Sequence, residues 1–175
     1  MQTALASSDM LITSGGVSVG PCDYTPQIVD SLGKPGIVVY GIAVKPGKPT
    51  TVGFVGDKPV FSLPGHPTSA LLIFYLLARP LIQRLAGRPV AAMKTVRAFA
   101  GSRMFSAKGR RTFVMVNLEF DEDCRLIAEP VETGASGAIT TLAKADGFVE
   151  IPENEQFVDV DEEVAVLLFR NTGKV

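Results

Sequence analysis

The first half of the chain alternates short apolar runs with glycine- and proline-rich turns, and this pattern predicts an α/β domain. Residues 9–13 form an apolar run that closes on Ser14-Gly15-Gly16, which is typical of a buried, parallel-type strand entering a glycine-rich turn. Residues 23–33 then carry helix signals, with Asp23 able to cap the first turn and Pro26 inside it. We therefore expect a strand, a turn and a helix in direct succession.

More strands and one longer helix are predicted after this unit. The run 36–44 is rich in β-branched residues, and Gly56-Asp57 separates two further apolar runs in the manner of a hairpin turn. After Pro64-Gly65-His66-Pro67 the chain is expected to enter a helix that bends at Pro80 and ends at Gly87. The two runs of the hairpin are residues 50–55 and 58–63.

The second half of the chain has a different pattern, with short alternating segments and no sustained helical period. Such segments are typical of small antiparallel barrels and sandwiches. The clearest of them is Thr112–Phe120, and others lie at 125–131, 148–151 and 164–169. We therefore divide the chain into an α/β part, residues 1–90, and an all-β, barrel-like part, residues 91–175.

The opening strand of the α/β part indicates a longer protein. A strand that is apolar on both faces needs neighbouring strands and covering helices, and the short leader before Asp9 is too short to supply them. We expect the sequence to be the C-terminal portion of a larger chain.

The composition excludes several classes of protein. Of the 175 residues, 46% are apolar and 20% are charged, which is typical of a globular fold and excludes a disordered tail or a disulfide scaffold. Two distant cysteines, Cys22 and Cys124, and the single His66 exclude a zinc cluster and favour a reducing, cytoplasmic setting. The most apolar stretch, residues 70–78, is shorter than the roughly 20 residues needed to cross a bilayer, so no membrane partner is expected.

The net charge of −1 hides a division between the two halves. Residues 1–94 hold eight Lys/Arg against four Asp/Glu, whereas residues 95–175 hold nine against fourteen. The positive half has no basic cluster of the kind that binds nucleic acid, which favours a small anionic ligand instead.

Two glycine-containing turns are candidate anion sites. Each follows a predicted strand and precedes a helix, so backbone amides are available and no side chain blocks a ligand. Because the carboxyl ends of strands meet at one edge of an open α/β sheet, we expect both turns at the same edge. The candidate residues are Ser14, Gly15, Gly16 and Ser18 in the first turn, and Pro64, Gly65 and Ser69 in the second.

Three charged residues near these turns are candidates for chemistry. Asp23 could hold Mg²⁺ beside a bound phosphate, although an ordinary helix cap is the alternative. Lys45 and Lys48 flank a Pro-Gly turn at a strand end and could attract an oxyanion, although solvated lysines are the common finding.

Together these motifs resemble the molybdopterin molybdenumtransferase family, known as MoeA and as the gephyrin E domain. The resemblance is carried, in order, by Asp9–Tyr24, by Lys45-Pro-Gly-Lys-Pro49 and by Leu63–Ala70. Gly109-Arg110, the segment 134–137 and Ala145-Asp146-Gly147 are similar to the family's C-terminal β-domain.

The resemblance implies a partial three-layer, Mog-like molybdopterin-binding domain followed by the family's barrel-like domain. It also implies an enzyme that inserts molybdate into adenylylated molybdopterin, with Mg²⁺, and releases AMP. By the same resemblance the two glycine turns hold the pterin phosphate, Asp23 is the catalytic and metal-positioning carboxylate, and Lys45 and Lys48 attract the anion. Molybdate and tungstate are similar in charge and size, and the residue types do not separate them.

The sequence departs from the family pattern at several points. His66 stands where Asn is common, and Gly41 where some members carry a basic residue. The family's site is completed by the second protomer of a homodimer and by N-terminal domains, so we expect this portion alone to be inactive. The alternative is a non-catalytic pterin-binding or protein-scaffolding module of the same fold.

Overall fold

The computed structural model describes residues 1–16, 24–131 and 144–169. The chain forms two compact units. The first contains residues 1–42 and 47–90, and the second contains residues 43–46 and 91–175. The segment 43–46 therefore belongs to the second unit although it lies within the first half of the sequence.

The first unit is built on a four-stranded mixed sheet. Its strands are β1 (Leu11–Ser14), β2 (Pro35–Tyr40), β4 (Thr51–Val55) and β5 (Lys58–Leu63), in the order β1-β5-β4-β2. The β1 strand pairs with β5 in parallel, and the other pairs are antiparallel. The expected hairpin is present, because β4 and β5 turn at Gly56 with a φ of +60°. The predicted strand 36–44 instead ends at Tyr40, and Gly41 follows with a φ of +76°.

The helices of the first unit are α1 (Gln2–Ala6), α2 (Thr25–Leu32), α3 (Pro67–Ile73) and α4 (Arg79–Leu85). A π-helical turn, Phe74–Ala78, joins α3 to α4. The π-helical turn ends two residues before Pro80, which has no N–H to donate to a carbonyl one turn earlier. The N–H of Arg79 donates to the carbonyl of Phe74, five residues back. The expected disturbance at Pro80 thus takes the form of a π turn.

One face of this sheet is covered by α1 and α2. Leu5, Val29 and Val60 are buried together there, and Leu11, Leu32, Ile37 and Val55 pack around them. The Nζ of Lys58 donates to the carbonyl of Leu5, which fastens α1 to β5. Within the described ranges no helix is long and apolar enough to span a membrane.

The second unit is a closed barrel of five strands. They are β6 (Thr95–Ala100), β8 (Arg111–Phe120), β9 (Leu126–Pro130), β10 (Gly147–Ile151) and β12 (Glu163–Leu168). The ring runs β8-β9-β6-β12-β10 and closes because β10 also pairs with β8. All pairs are antiparallel except β6–β9. Three shorter strands are attached: β3 (Val44–Lys45) beside β8, and β7 (Met104–Phe105) paired with β11 (Phe157–Val158).

Small and β-branched side chains fill the barrel. Alternate residues of each strand point inward, so the core draws on all five strands. The buried carboxylate of Asp146 accepts a hydrogen bond from the N–H of Leu118 at 2.9 Å, and its main chain bonds to Val116 and Phe169. The buried members of the core are Ala98, Ala100, Met104, Val116, Leu118, Ala128, Val149, Ile151, Val158, Val164, Val166 and Leu168.

Candidate functional site

A cavity of about 360 Å³ lies beyond the ends of β1 and β5 in the first unit. This volume is within the range of small-molecule sites, roughly 300–1,000 Å³. Six of the lining residues come from the two glycine turns and the start of α3, and one comes from the turn before β4. The lining residues are Gly15, Gly16, Pro49, Pro64, Gly65, His66 and Ser69.

The parallel pairing of β1 with β5 brings the two glycine turns together. Ser14 lies opposite Leu63 at the ends of the two strands, and the N–H of Gly15 donates to the carbonyl of Leu63 at 3.0 Å. The hydroxyl of Ser14 donates to the carbonyl of Pro64 at 3.2 Å. These bonds fix one turn against the other, as the sequence predicted for two turns at one sheet edge.

The backbones of Gly15 and Gly65 approach each other closely. A Cβ on Gly65 would lie 3.4 Å from the Cα of Gly15. Gly15 has a φ of +85°, a conformation that residues with a side chain rarely adopt. The main chain at Gly15 and Gly65 is therefore exposed to the cavity. A larger residue at either position would narrow the cavity.

The second turn leads directly into α3. Pro64 and Ser69 are buried, whereas Gly65 and His66 are exposed. His66 is the N-cap of α3, and its carbonyl accepts a hydrogen bond from the N–H of Ala70 at 2.9 Å. His66 is therefore an exposed residue that also lines the cavity.

The Lys-Pro-Gly-Lys-Pro turn is divided between the two units. Lys45 lies on β3 and belongs to the second unit, whereas Lys48 belongs to the first and directly precedes the cavity residue Pro49. Both lysines are exposed. The hydroxyl and the N–H of Thr50 bond to the carbonyl of Gly47 at 2.7 and 3.1 Å, which holds the main chain around Lys48.

A set of buried hydroxyls near the cavity was not predicted from the sequence. Thr13, Ser62 and Thr51 lie side by side on β1, β5 and β4, and each is the register partner of its neighbour. Their hydroxyl oxygens are buried and have no hydrogen-bond partner among the residues that the structure describes. We call these three residues the hydroxyl row. The available signal was a hydroxyl residue within each of three mainly apolar strands.

Two of the predicted site residues, Ser18 and Asp23, lie outside the described residues, as do Cys22 and the segment 134–137. The cavity residues that are described include no carboxylate. Over the described ranges, no group of three or more His, Cys, Asp or Glu side chains could hold a metal ion. The described lining therefore does not by itself form a magnesium site, and the predicted role of Asp23 stays a prediction.

The arrangement of the described residues is chemically suited to a small polar ligand. Main-chain groups at two glycine turns, the buried Ser69 and an adjacent lysine offer hydrogen bonds and one positive charge. Glycine turns of this kind let an anion approach the backbone closely.

Two family matches cover most of the chain. Residues 1–84 match the family described as "Probable molybdopterin binding domain", and residues 97–169 match the family described as "MoeA C-terminal region (domain IV)". The chain belongs to the MoeA family. The expected fold, an α/β unit followed by a barrel-like all-β unit, is the fold of that family.

Relatives within the MoeA family support the same conclusion. A protein of Methanocaldococcus jannaschii assigned to molybdopterin biosynthesis is 35% identical over 97% of this chain, which matches 39% of that relative. The molybdopterin molybdenumtransferase of Haemophilus influenzae is 31% identical over 96% of the chain and 41% of its own length. A crystal structure of a molybdopterin biosynthesis MoeA protein from Pyrococcus horikosii superposes with a TM-score of 0.81 at 42% identity, covering 98% of this chain and 40% of that one. The chain thus spans about two-fifths of the length of these MoeA relatives.

Proposed function

We propose that this chain supplies part of the substrate site of a molybdenum cofactor biosynthesis enzyme. The reaction is the insertion of molybdate into adenylylated molybdopterin, with release of AMP and retention of molybdenum on the pterin dithiolene. Two lines of support are the molybdopterin-binding family match and the transferase names of the relatives. The structural observation that carries the proposal is the convergence of the two glycine turns on one cavity.

In this proposal the glycine turns bind the phosphate end of the pterin. Gly15, Gly16 and Gly65 leave the backbone open to close approach, and the positions next to them offer polar groups. Ser69 lines the cavity at the start of α3, and we assign its hydroxyl the role of a donor to a phosphate oxygen. Ser18 belongs to the same group of phosphate contacts by its place in the sequence.

Positive charge is supplied by the Lys-Pro-Gly-Lys-Pro turn. Lys48 lies next to the cavity residue Pro49, and its exposed ammonium group attracts a doubly charged oxyanion. We assign Lys45 the same role in attracting molybdate. The attraction is electrostatic and therefore weakens as salt is added.

We assign Asp23 to the reaction itself, as the carboxylate that positions Mg²⁺ beside the phosphates. When bound, a magnesium ion supplies charge neutralisation for phosphate oxygens. The residues of this chain bind and orient the pterin. Gly15 and Gly65 set how closely the phosphate of the pterin approaches the main chain. The full reaction, in a homodimer of the complete protein, is part of the same proposal.

The test measures molybdopterin binding and AMP release separately. The full-length protein that contains this chain is compared with its Asp23→Ala variant, and molybdopterin affinity is measured by calorimetry. We expect Asp23→Ala to keep binding within a few-fold and to lose AMP release. Unchanged AMP release removes Asp23 from the mechanism.

A second comparison tests the assignment of the cavity. Ser69→Ala removes one cavity hydroxyl, and Ser31→Ala is the matched control because Ser31 is exposed and lies outside the cavity lining. Ser69→Ala is expected to weaken molybdopterin binding about tenfold, since hydrogen bonds to charged groups contribute roughly 1.5–3 kcal/mol. Equal affinities for the two variants would remove the cavity from the proposed site.

A further inference from the structure

His66 is the one ionisable residue in the described lining of the cavity. The other six lining residues are glycine, proline or serine, and their side chains carry no charge near neutral pH. His66 is also the single histidine of the chain. Because histidine is the residue whose charge ordinarily changes between about pH 5 and 8, the charge of the described lining depends on one residue.

The main chain of His66 is held in place by its neighbours in the turn. Its φ of −77° and ψ of 122° are extended, as is usual before a proline, and Pro67 begins α3 directly after it. The imidazole accepts no capping hydrogen bond from the main chain of α3, a helix that the structure describes in full. His66 is also exposed, so its imidazole is accessible to a ligand in the cavity.

The described segments around His66 contain one other charged residue and no acidic one. These segments are the end of β1 with the first glycine turn, residues 14–16, the second turn with α3, residues 63–73, and the turn residues 48–49. Lys48 is the charged residue, and it directly precedes the lining residue Pro49. A protonated His66 would therefore add a second positive charge that no carboxylate of these segments neutralises.

We propose that the imidazole of His66 contacts the anionic group of the ligand and makes ligand binding depend on pH. The inference rests on the proposed function, because the anion is the phosphate of the pterin. A protonated imidazole presents two N–H donors and a positive charge, whereas a neutral imidazole presents one donor. Charge-assisted hydrogen bonds are roughly twice as strong as neutral ones, so the anion binds more tightly when His66 is protonated. His66 is a binding residue in this inference and transfers no proton.

The test uses inorganic sulfate as the probe. A phosphate monoester gains a proton of its own near pH 6, and this would oppose the effect of His66. Sulfate stays doubly charged at about pH 5.5 and at about pH 8, two values on either side of the ordinary titration of histidine. The sulfate dissociation constant is measured at both values from the amide chemical shifts of the full-length protein that contains this chain.

Two variants of His66 separate charge from shape. We expect the wild type to bind sulfate about tenfold more tightly at the lower pH. His66→Asn should bind equally at both values and match the wild type at the higher pH. His66→Lys carries a lasting positive charge and should bind at both values as tightly as the wild type does at the lower one. Because His66 is exposed, neither substitution should disturb the fold.

Three results would overturn the inference. The first is a wild type whose sulfate affinity is unmeasurably weak or equal at the two pH values. The second is a His66→Asn variant that keeps the wild-type pH dependence, because the effect then comes from another group such as Cys22 or Asp23. The third is a His66→Lys variant that binds sulfate no better than His66→Asn. A wild type that shows the expected sulfate behaviour but does not bind molybdopterin contradicts the proposed function instead, so the two failures are distinguishable.

Discussion

Gly15 and Gly65 meet at the edge of the first unit's sheet, where a Cβ on Gly65 would come within 3.4 Å of the Cα of Gly15. Each glycine lies in the turn that follows one of two parallel strands, and both line the same cavity. Neither residue adds a side chain to the cavity lining. Binding should therefore be more sensitive to these glycines than stability is.

The first prediction concerns Gly15→Ala, with Gly56→Ala as its matched control. Both glycines have positive φ, so each substitution should destabilise the protein by about 1–2 kcal/mol. Gly56 has open space around it and lies in the hairpin turn at the other end of β5. We expect only Gly15→Ala to lose molybdopterin affinity, measured by calorimetry beside urea unfolding of both variants. Equal affinity losses in the two variants would contradict a role of Gly15 in ligand binding.

The second prediction concerns the charge of Lys48. Lys48→Gln should weaken molybdopterin binding several-fold at low salt and reduce its salt dependence, because one exposed ammonium group near the cavity is removed. Lys34→Gln is the control, because Lys34 is also exposed. Lys34 directly precedes Pro35, the residue of β2 that pairs with Val55. Affinities measured from 50 to 500 mM salt check this, and parallel salt curves for the two variants would refute it.

The third prediction concerns the buried Asp146 of the barrel. Asp146→Ala leaves the N–H of Leu118 without its acceptor and should lower the free energy of unfolding by about 1–3 kcal/mol. Asp146→Asn keeps an oxygen acceptor and should lose less. Urea denaturation of both variants measures the difference, and an Asp146→Ala variant as stable as Asp146→Asn would show that this hydrogen bond contributes little.

The fourth prediction concerns acid stability. The N–H of Arg125 donates to the Asp121 carboxylate at 2.8 Å and the Arg125 guanidinium pairs with it, which together lower the pKa of Asp121 below its ordinary value of 3.8. A folded-state pKa below the unfolded one contributes stability above about pH 4, and this contribution is lost as the pH falls through the folded value. The contribution is small because the pair is exposed.

Asp121→Asn isolates this effect, because the amide oxygen can still accept the backbone hydrogen bonds. The variant should be less stable than the wild type at pH 6 and equally stable once the wild-type carboxyl is protonated, near pH 2. Urea unfolding at both pH values provides the measurement. A stability gap of the same size at both values would assign the loss to something other than the carboxylate charge.

Much of the first unit follows from local sequence. The hairpin at Gly56-Asp57 and the helix that contains Pro26 form where turn chemistry and hydrophobic period predicted them. The meeting of the two glycine turns was predictable too, because each turn directly follows a strand and the two strands are parallel. These features depend on residues close in sequence or on a general rule of α/β sheets.

Other features depend on contacts between distant residues. Val44 and Lys45 look like the end of the preceding strand, yet they pair with Arg111 and Thr112 of β8. The hydroxyl row exists only through the register of three strands, since each hydroxyl taken alone is an ordinary polar residue in a strand. Local propensity carries no information on such pairing.

The placement of β3 has a consequence for dissecting this protein into pieces. Cleavage after Val90 would leave Val44 and Lys45 on the N-terminal product, although their hydrogen-bonding partners on β8 are on the C-terminal product. An isolated 91–175 polypeptide would expose the N–H of Arg111 that bonds to the carbonyl of Ala43 at 3.0 Å. A short strand from the first half of the sequence therefore extends the sheet of the barrel at β8, and an expressed 91–175 polypeptide should be supplied with residues 43–46 as a separate peptide.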